Sequence, residues 1–153
     1  MNFEERFLAL NLELPPAPKA MGLYKPIVVV DRLAYLSGHG PLQSDGKLIC
    51  GIVGKDLDLA QGQVAARQTG LAVLASLRAQ FGSLDRIKRL VKTFGLVRCT
   101  AEFVDQPSVI NGFSELMRDV FGEESGIAAR SAVGAASLPA GMAVEIEAIF
   151  ELK

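Results

Sequence analysis

The chain has 153 residues, of which 50% are hydrophobic and 22% are charged, and this composition is sufficient for one globular domain with its own core. The 16 Lys and Arg residues nearly balance the 17 Asp and Glu residues, so the formal charge of -1 predicts no nucleic-acid or membrane partner. The mean hydropathy of +0.29 is nevertheless high, and no apolar run reaches the roughly 18 residues of a membrane span. We therefore expect the excess apolar surface to be buried between subunits.

The few metal-binding residue types of the chain are widely spaced. His39 is the single histidine, and Cys50 and Cys99 are the two cysteines, with no pair at the spacing of a zinc site. We expect no metal site, and we expect the cysteines to be small buried hydrophobic residues. The first ten residues, MNFEERFLAL, lack the basic start and cleavage site of a secretory signal, which predicts a cytoplasmic protein.

The first third of the chain combines a short helix with a hairpin. Residues 4–11 could form one or two helical turns before the prolines of 15–18 end them, so we predict an N-terminal arm over 1–19 and a single domain over 20–153. Two apolar runs, 27–30 and 33–36, are separated by Asp31-Arg32, the spacing of a tight hairpin. We expect Gly38–Pro41 to end the second strand and a short strand to follow over 47–50.

The clearest helix is predicted over residues 58–81. Asp58 and Gln61 have the spacing of a capping box, and Gly82 provides a C-terminal stop. Apolar residues recur every three or four positions and predict the buried face, namely Val64, Leu71, Leu74, Leu77 and Phe81.

The remaining elements complete an α+β domain. We predict a strand over 87–97, a helix over 108–121, and strands over 129–136 and 143–152. Two helices can cover only one face of such a mixed sheet, so the other face needs a further layer. Self-association would supply that layer.

Two charged features stand out from their apolar surroundings. Arg130 has small apolar neighbours, and its planar guanidinium could bind a carboxylate through two parallel hydrogen bonds. Alternatively, it could cap a strand or pair with a structural acid. Glu145 and Glu147 lie two apart on a predicted strand and therefore on one face. They could hold a water or act as a general base, or they could form an ordinary solvated face.

The segment Ser37-Gly38-His39-Gly40 places a hydroxyl and an imidazole close together. His39 is too near Ser37 along the chain to activate it easily, and no third member of a hydrolase triad is evident. The glycines are more consistent with close approach of the backbone to a ligand or to another chain. Tyr24 could contribute an aromatic wall or a hydroxyl, or it could simply pack.

Several segments in this order resemble the reactive intermediate deaminase family, also called Rid or YjgF-like. They are Met21-Gly22-Leu23-Tyr24, Leu36-Ser37-Gly38-His39-Gly40-Pro41, Val109-Ile110-Asn111, Ala129-Arg130-Ser131-Ala132-Val133, Leu138-Pro139 and Val144-Glu145-Ile146-Glu147-Ala148-Ile149. The resemblance covers the chain from about Ala20 to its C-terminus. It departs from the family pattern at Ala128, Ala132 and His39.

The resemblance implies a chorismate-mutase-like α+β fold and a homotrimer with a ligand cleft between neighbouring subunits. It also implies hydrolysis of enamines and imines of small amino acids to 2-oxo acids and ammonia, without a cofactor. Arg130 would bind the substrate carboxylate and Glu145 would hold or activate water. By the same resemblance, the substrate-binding residues would also include Tyr24, Ser37, Gly38 and Asn111.

Other functions remain open at this point. The protein could be a non-catalytic trimer that binds a small carboxylate, or a hydrolase of another nitrogen compound. Endoribonuclease activity, a third option, is disfavoured because the charge is nearly neutral and the chain lacks a histidine pair for acid–base cleavage of RNA.

Overall fold

The computed structural model describes residues 1–153 as a five-stranded sheet with two long helices packed against one face and a short N-terminal helix beside one of them. The helices are α1 (Phe3–Ala9), α2 (Leu59–Phe81) and α3 (Gln106–Gly126). The strands are β1 (Ile27–Val30), β2 (Leu33–His39), β3 (Ile87–Arg98), β4 (Ala129–Ala135) and β5 (Val144–Leu152). None of the three helices has both the length and the apolar character needed to cross a bilayer.

The sheet is mixed, with the strand order β1-β2-β5-β3-β4. Only β3 and β4 run parallel, with α3 as their crossover, and the other three neighbouring pairs are antiparallel. The α+β class and the mixed sheet predicted from the sequence are therefore confirmed. The β1–β2 hairpin is confirmed as well, and Asp31 takes the left-handed conformation (φ 53°) that a glycine usually supplies in such a turn.

One prediction between residues 38 and 50 is confirmed and another is wrong. β2 ends at His39, inside the predicted stop of Gly38–Pro41, after it accommodates one extra residue as a bulge. The predicted strand over 47–50 is reduced to two isolated bridges, Leu42 to Leu48 and Cys50 to Met142. Positive φ angles at Gly46 and Gly51 bend this segment away from an extended course.

The core lies between the sheet and the two long helices. Leu71, Leu74 and Leu77 are buried as predicted, but Val64 is 60% exposed and faces solvent. The buried face of α2 is instead rich in small residues such as Ala65 and Ala66, which allow α2 and α3 to approach closely. The spacing of large apolar residues in the sequence therefore does not indicate this buried face, because small residues form much of it.

The long helix after β3 is longer than predicted at both ends. It begins at Gln106 and reaches Gly126, with a break in helical geometry at Gly122 (φ 80°). The Arg6 guanidinium donates two hydrogen bonds to the carbonyl of Asp119, at 3.1 and 3.3 Å, and so satisfies a backbone acceptor just before the break.

Helix α1 is fastened to the same core. Phe7 is 4% exposed, and the Glu4 carboxylate accepts hydrogen bonds from Arg78 (2.7 and 3.0 Å) and from the backbone N–H of Leu84 (2.8 Å). The short helix predicted here is confirmed. The division into an arm over 1–19 and a domain over 20–153 stays a prediction.

The opposite face of the sheet carries no helix. Val28, Val30 and Tyr35 on the β1–β2 hairpin and Val133 on β4 are exposed apolar residues of this face. Part of the excess apolar composition is thus located on this surface, as expected from two long helices that cover one side only.

Replacement of Phe7 by alanine tests how far α1 belongs to the folded unit. We expect Phe7→Ala to lower the free energy of unfolding by about 3 kcal/mol, because a buried aromatic ring leaves a cavity behind. Urea unfolding measures the change. The adjacent Leu8, which is 61% exposed, provides the control, and Leu8→Ala should stay within about 0.5 kcal/mol of the wild type. Equal effects of the two changes would contradict the expectation.

Candidate functional site

A cavity of about 810 Å³ lies where β2 and β5 meet the segment before β1. Four of the predicted site residues line it together: Tyr24, Ser37, Gly38 and Glu145. The β2–β5 pairing brings Gly38 beside Glu145, and the segment before β1 brings Tyr24 to the cavity wall. The sequence segments that suggested a site therefore meet around one space.

The backbone at Gly38 and the side chain of Glu145 are in close contact. A Cβ atom at Gly38 would lie only 2.7 Å from Glu145 Oε2 and 2.8 Å from its Cδ. Any side chain at this position would displace the carboxyl group. Gly38 was predicted to let a ligand or another chain approach the backbone closely. In the structure, the group that approaches it is the carboxyl group of Glu145 in the same chain.

Glu145 lies in an environment that disfavours its charged form. Partial burial raises the pKa of its carboxyl above the usual range, and the negative charge of Glu147 raises the pKa further. Both side chains project from the helix-free face of β5. Glu147 is the exposed member of the pair, whereas Glu145 is partly buried, so the alternative of a plain solvated face describes only Glu147.

Two hydroxyl groups of the cavity have defined partners. Ser37 Oγ donates a hydrogen bond of 2.6 Å to the carbonyl of Lys25, and its lone pairs stay available as acceptors. The Tyr24 hydroxyl accepts from the backbone N–H of Met21 at 3.1 Å, which leaves its own proton available to a ligand. The site can therefore both donate and accept near Glu145.

His39 does not serve Ser37 as a base. Its Nδ1 lies 2.7 Å from the carbonyl oxygen of Ser37, and its ring is buried on the helix side of the sheet. Burial lowers the pKa of His39 below its ordinary value. No three His, Cys, Asp or Glu side chains lie close enough together to hold a metal ion.

Arg130 and Asn111 form a separate cluster at the outer edge of the sheet. Arg130 Nη1 donates to Asn111 Oδ1 at 2.8 Å and to Ser114 Oγ at 3.1 Å, and the guanidinium makes no ion pair. Within one chain, the structural alternative for Arg130 thus takes the form of hydrogen bonds to α3 rather than an ion pair. The sequence analysis missed Ser114; its position three residues after Asn111, on the same helix face, could have indicated it.

The structure does not bring Arg130 and Glu145 together within one chain. Arg130 is registered with Thr93, whose side chain faces the helices, whereas Glu145 is registered with Leu96 on the other face. Strand spacings place their Cα atoms about 14 Å apart, and their side chains project from opposite faces of the sheet. A small substrate at Glu145 of one chain thus lies out of reach of the same chain's Arg130.

Comparison with known proteins assigns the class. Residues 4–145 match the family model described as "YjgF/chorismate_mutase-like, putative endoribonuclease". The chain therefore belongs to the YjgF/Rid family, and its mixed α+β fold is the YjgF/chorismate-mutase-like fold.

Individual relatives extend over most of the chain. Protein TCP17 of Trypanosoma cruzi is 41% identical over 94% of this chain and 89% of its own length. The human protein named 2-iminobutanoate/2-iminopropanoate deaminase is 31% identical over 87% of this chain and 82% of its own length. A crystal structure of a protein of unknown function from Agrobacterium tumefaciens superposes with a TM-score of 0.88 at 41% identity, covering 99% and 94% of the two chains.

The raised pKa of Glu145 predicts a stability gain when its charge is removed. The unfolded carboxyl titrates near 4.5 and the folded one higher, so the charged form destabilises the fold above the folded pKa. We expect Glu145→Gln to raise the melting temperature at pH 7, and the gain should vanish as the pH falls towards 4.5.

Glu151 provides a control of opposite sign. A hydrogen bond of 2.8 Å from Lys88 lowers the pKa of Glu151, so its charged form stabilises the fold above pH 4.5 and that stability is lost as the pH falls. Glu151→Gln should lower the melting temperature at pH 7, if only slightly, because the pair is exposed. Thermal melts between pH 8 and pH 4.5 measure both variants, and a loss of stability in Glu145→Gln at pH 7 would refute the expectation.

Proposed function

We propose that the protein hydrolyses enamines and imines of small amino acids to 2-oxo acids and ammonia. The observation that carries this proposal is the pair of half-sites: a guanidinium held by neutral partners with its other edge free, and a carboxyl group with a raised pKa beside a cavity. Membership of the family and similarity to a human protein named as an imine deaminase support it.

Arg130 binds the carboxylate of the imino acid. Asn111 and Ser114 hold Nη1, so the remaining N–H groups of the planar guanidinium can donate two parallel hydrogen bonds to the two carboxylate oxygens. Because the partners are neutral, the positive charge of Arg130 stays available to the substrate. This contact fixes the position of the adjacent imine carbon.

Glu145 acts first as the general base and then as the general acid of the hydrolysis. A water oxygen forms a bond to the imine carbon while the electron pair of the C=N bond moves to nitrogen, and the carboxylate of Glu145 takes a proton from the water. The carboxyl group then returns this proton to the amine nitrogen. Glu145 then transfers the hydroxyl proton to the same nitrogen. The C–N bond breaks as the C=O bond forms, and ammonia and the 2-oxo acid leave with the carboxylate of Glu145 regenerated. The pKa of Glu145 is raised and therefore lies closer to neutral pH than that of an ordinary carboxyl group. A group that both takes and returns a proton works best when its pKa is near the working pH.

The other cavity residues contact the nitrogen end of the substrate. The Tyr24 hydroxyl can donate, and the Ser37 hydroxyl can accept, at positions that share the cavity with Glu145. An imine carbon is already electrophilic, so orientation, a positioned water and a proton carrier suffice. The proposed reaction therefore requires no metal or organic cofactor.

The proposed site is complete only between two copies of the chain. Arg130 and Glu145 lie on opposite faces of one sheet, so the Arg130 edge of one copy must meet the Glu145 cavity of the next. The helix-free apolar face, with Val28 and Tyr35, provides surface for such an assembly. We propose a homotrimer with the site in each cleft, acting in the cytoplasm on small imino acids and without a nucleic-acid or membrane partner.

Removal of the Arg130 guanidinium tests the binding step. Two charge-assisted hydrogen bonds contribute about 1.5–3 kcal/mol each, so we expect Arg130→Ala to lower kcat/KM at least on the order of a hundredfold. Arg130→Lys keeps the charge but lacks the planar fork, and it should recover only part of the activity. The measurement is the rate of loss of 2-iminobutyrate or 2-iminopropionate generated in situ by an amino-acid oxidase.

The control is Arg118→Ala, which removes an exposed arginine of α3 that makes no side-chain hydrogen bond or ion pair. This variant should retain the wild-type rate. No acceleration of imine loss by the wild type with any of a panel of imines would refute the proposed reaction. Saturable binding of 2-oxo acids without turnover, lost in Arg130→Ala, would favour a carboxylate-binding module instead.

Mixing two inactive variants tests the shared site. Arg130→Ala supplies an intact Glu145 cavity, and Glu145→Gln supplies an intact Arg130 cluster, so their mixed oligomers should regain some complete sites. Random reassembly after mild unfolding restores roughly a quarter of the clefts. The assay compares the mixture with each variant treated alone. No recovery in oligomers shown by mass spectrometry to be mixed would contradict a site shared between copies.

A further inference from the structure

His39 is among the residues that line the cavity, yet both nitrogens of its ring are held by other groups of the chain. Its side chain is 4% exposed, with Nδ1 at 2.7 Å from the carbonyl oxygen of Ser37 and Nε2 at 2.8 Å from Ser76 Oγ. Ser76 belongs to α2 and is equally buried, at 4%. The imidazole therefore bridges the site strand and the longest helix.

The partners of the ring define its tautomer. A carbonyl oxygen only accepts hydrogen bonds, so Nδ1 carries the proton and donates to Ser37. Nε2 of the neutral ring then accepts from the Ser76 hydroxyl. The lowered pKa of His39, which burial causes, agrees with a neutral ring.

The His39 contact spans the bulge of β2. Leu36 pairs with Ala148 and His39 pairs with Ile146, so three steps along β2 oppose two steps along β5. The extra residue lies in Ser37-Gly38, and the imidazole ties the carbonyl at the start of this irregular stretch to the strand at its end. Together with the hydrogen bond from the Ser37 N–H to the Pro26 carbonyl (2.9 Å), the imidazole thus holds backbone that the β2–β5 pairing leaves irregular.

The same irregular stretch sets the position of the Glu145 carboxyl group. Glu145 packs against Gly38 so closely that a Cβ atom would lie 2.7 Å from Oε2. A change in the course of residues 37–38 therefore changes the space, the burial and the direction of that carboxyl group. His39 faces the helices and Glu145 faces the cavity, so the backbone between them is the connection.

We infer that His39 and Ser76 are positioning residues that hold the Ser37-Gly38 bulge and thereby place the Glu145 carboxyl group in the cavity. This inference deepens the proposed function, because the placement matters for catalysis only if Glu145 carries the protons. The groups that face the imidazole are Ser76 from α2, the Ser37 carbonyl from β2 and the apolar Ile146 from β5. The nearest titratable group on β5, Glu145, projects from the opposite face.

Three variants test this inference. His39→Leu removes both hydrogen bonds, Ser76→Ala removes one with little change in volume, and His39→Gln retains a donor and an acceptor on a side chain that does not titrate. Two readouts are measured in each: the carboxyl titration of Glu145 by carbon-detected NMR, and kcat and KM for imine hydrolysis. Ser76→Ala also serves if His39→Leu does not fold.

We expect the Glu145 titration of His39→Leu to move towards the ordinary value, with a smaller shift of the same sign in Ser76→Ala. In both variants kcat should fall, on the order of tenfold to a hundredfold in His39→Leu, while KM changes little because Arg130 still binds the carboxylate. His39→Gln should restore both readouts. A purely structural role for His39 predicts lower melting temperatures without a change in the Glu145 titration.

The inference is overturned if Glu145 titrates as in the wild type in a folded His39→Leu or Ser76→Ala variant. It is also overturned if His39→Gln behaves as His39→Leu. If the wild type hydrolyses no imine, the proposed function fails, and the Glu145 titration still decides whether His39 and Ser76 place the carboxyl group.

Discussion

The structure depends on a sheet that is covered on one face only. Burial of Leu74, Phe113 and Phe150 between the helices and the sheet stabilises one side, and it leaves the carboxylates of β5 and the apolar side chains of the hairpin on the other. Every proposed reactive group is arranged by this asymmetry. Those on the open face form a cavity, and Arg130, on the covered face, emerges at the edge beside α3.

Element type and order could be predicted largely from periodicity and turn chemistry. The alternation of charged and apolar residues in β5 and the Asp58-Gln61 capping box have direct counterparts in the structure, the latter with hydrogen bonds of 2.8 and 2.9 Å. The prediction failed where tertiary packing outweighs the local pattern. Val64 follows the apolar period of α2, yet its neighbours Ala65 and Ala66 are buried because a close helix pair has room only for small side chains.

In the candidate site too, local sequence features could be predicted and features that depend on tertiary packing could not. Glycine beside a polar strand end indicated close approach at Gly38, but the sequence could not indicate that Glu145 is what approaches. The partners of Arg130 come from α3, and their contact depends on how that helix crosses β4. The bulge in β2 was also beyond local pattern analysis, since an extra residue becomes visible only against the register of β5.

The position of the two half-sites on opposite faces of one sheet has a consequence for symmetry. In a dimer with two-fold symmetry, the one partner subunit would have to contact both faces of the sheet in order to complete both half-sites. A head-to-tail contact joins the edge of each copy to the open face of the next, and such a contact ends either in a closed ring or in an unbounded filament. A ring leaves no half-site unused, so in the proposed assembly the number of complete clefts equals the number of subunits, and an isolated chain has none.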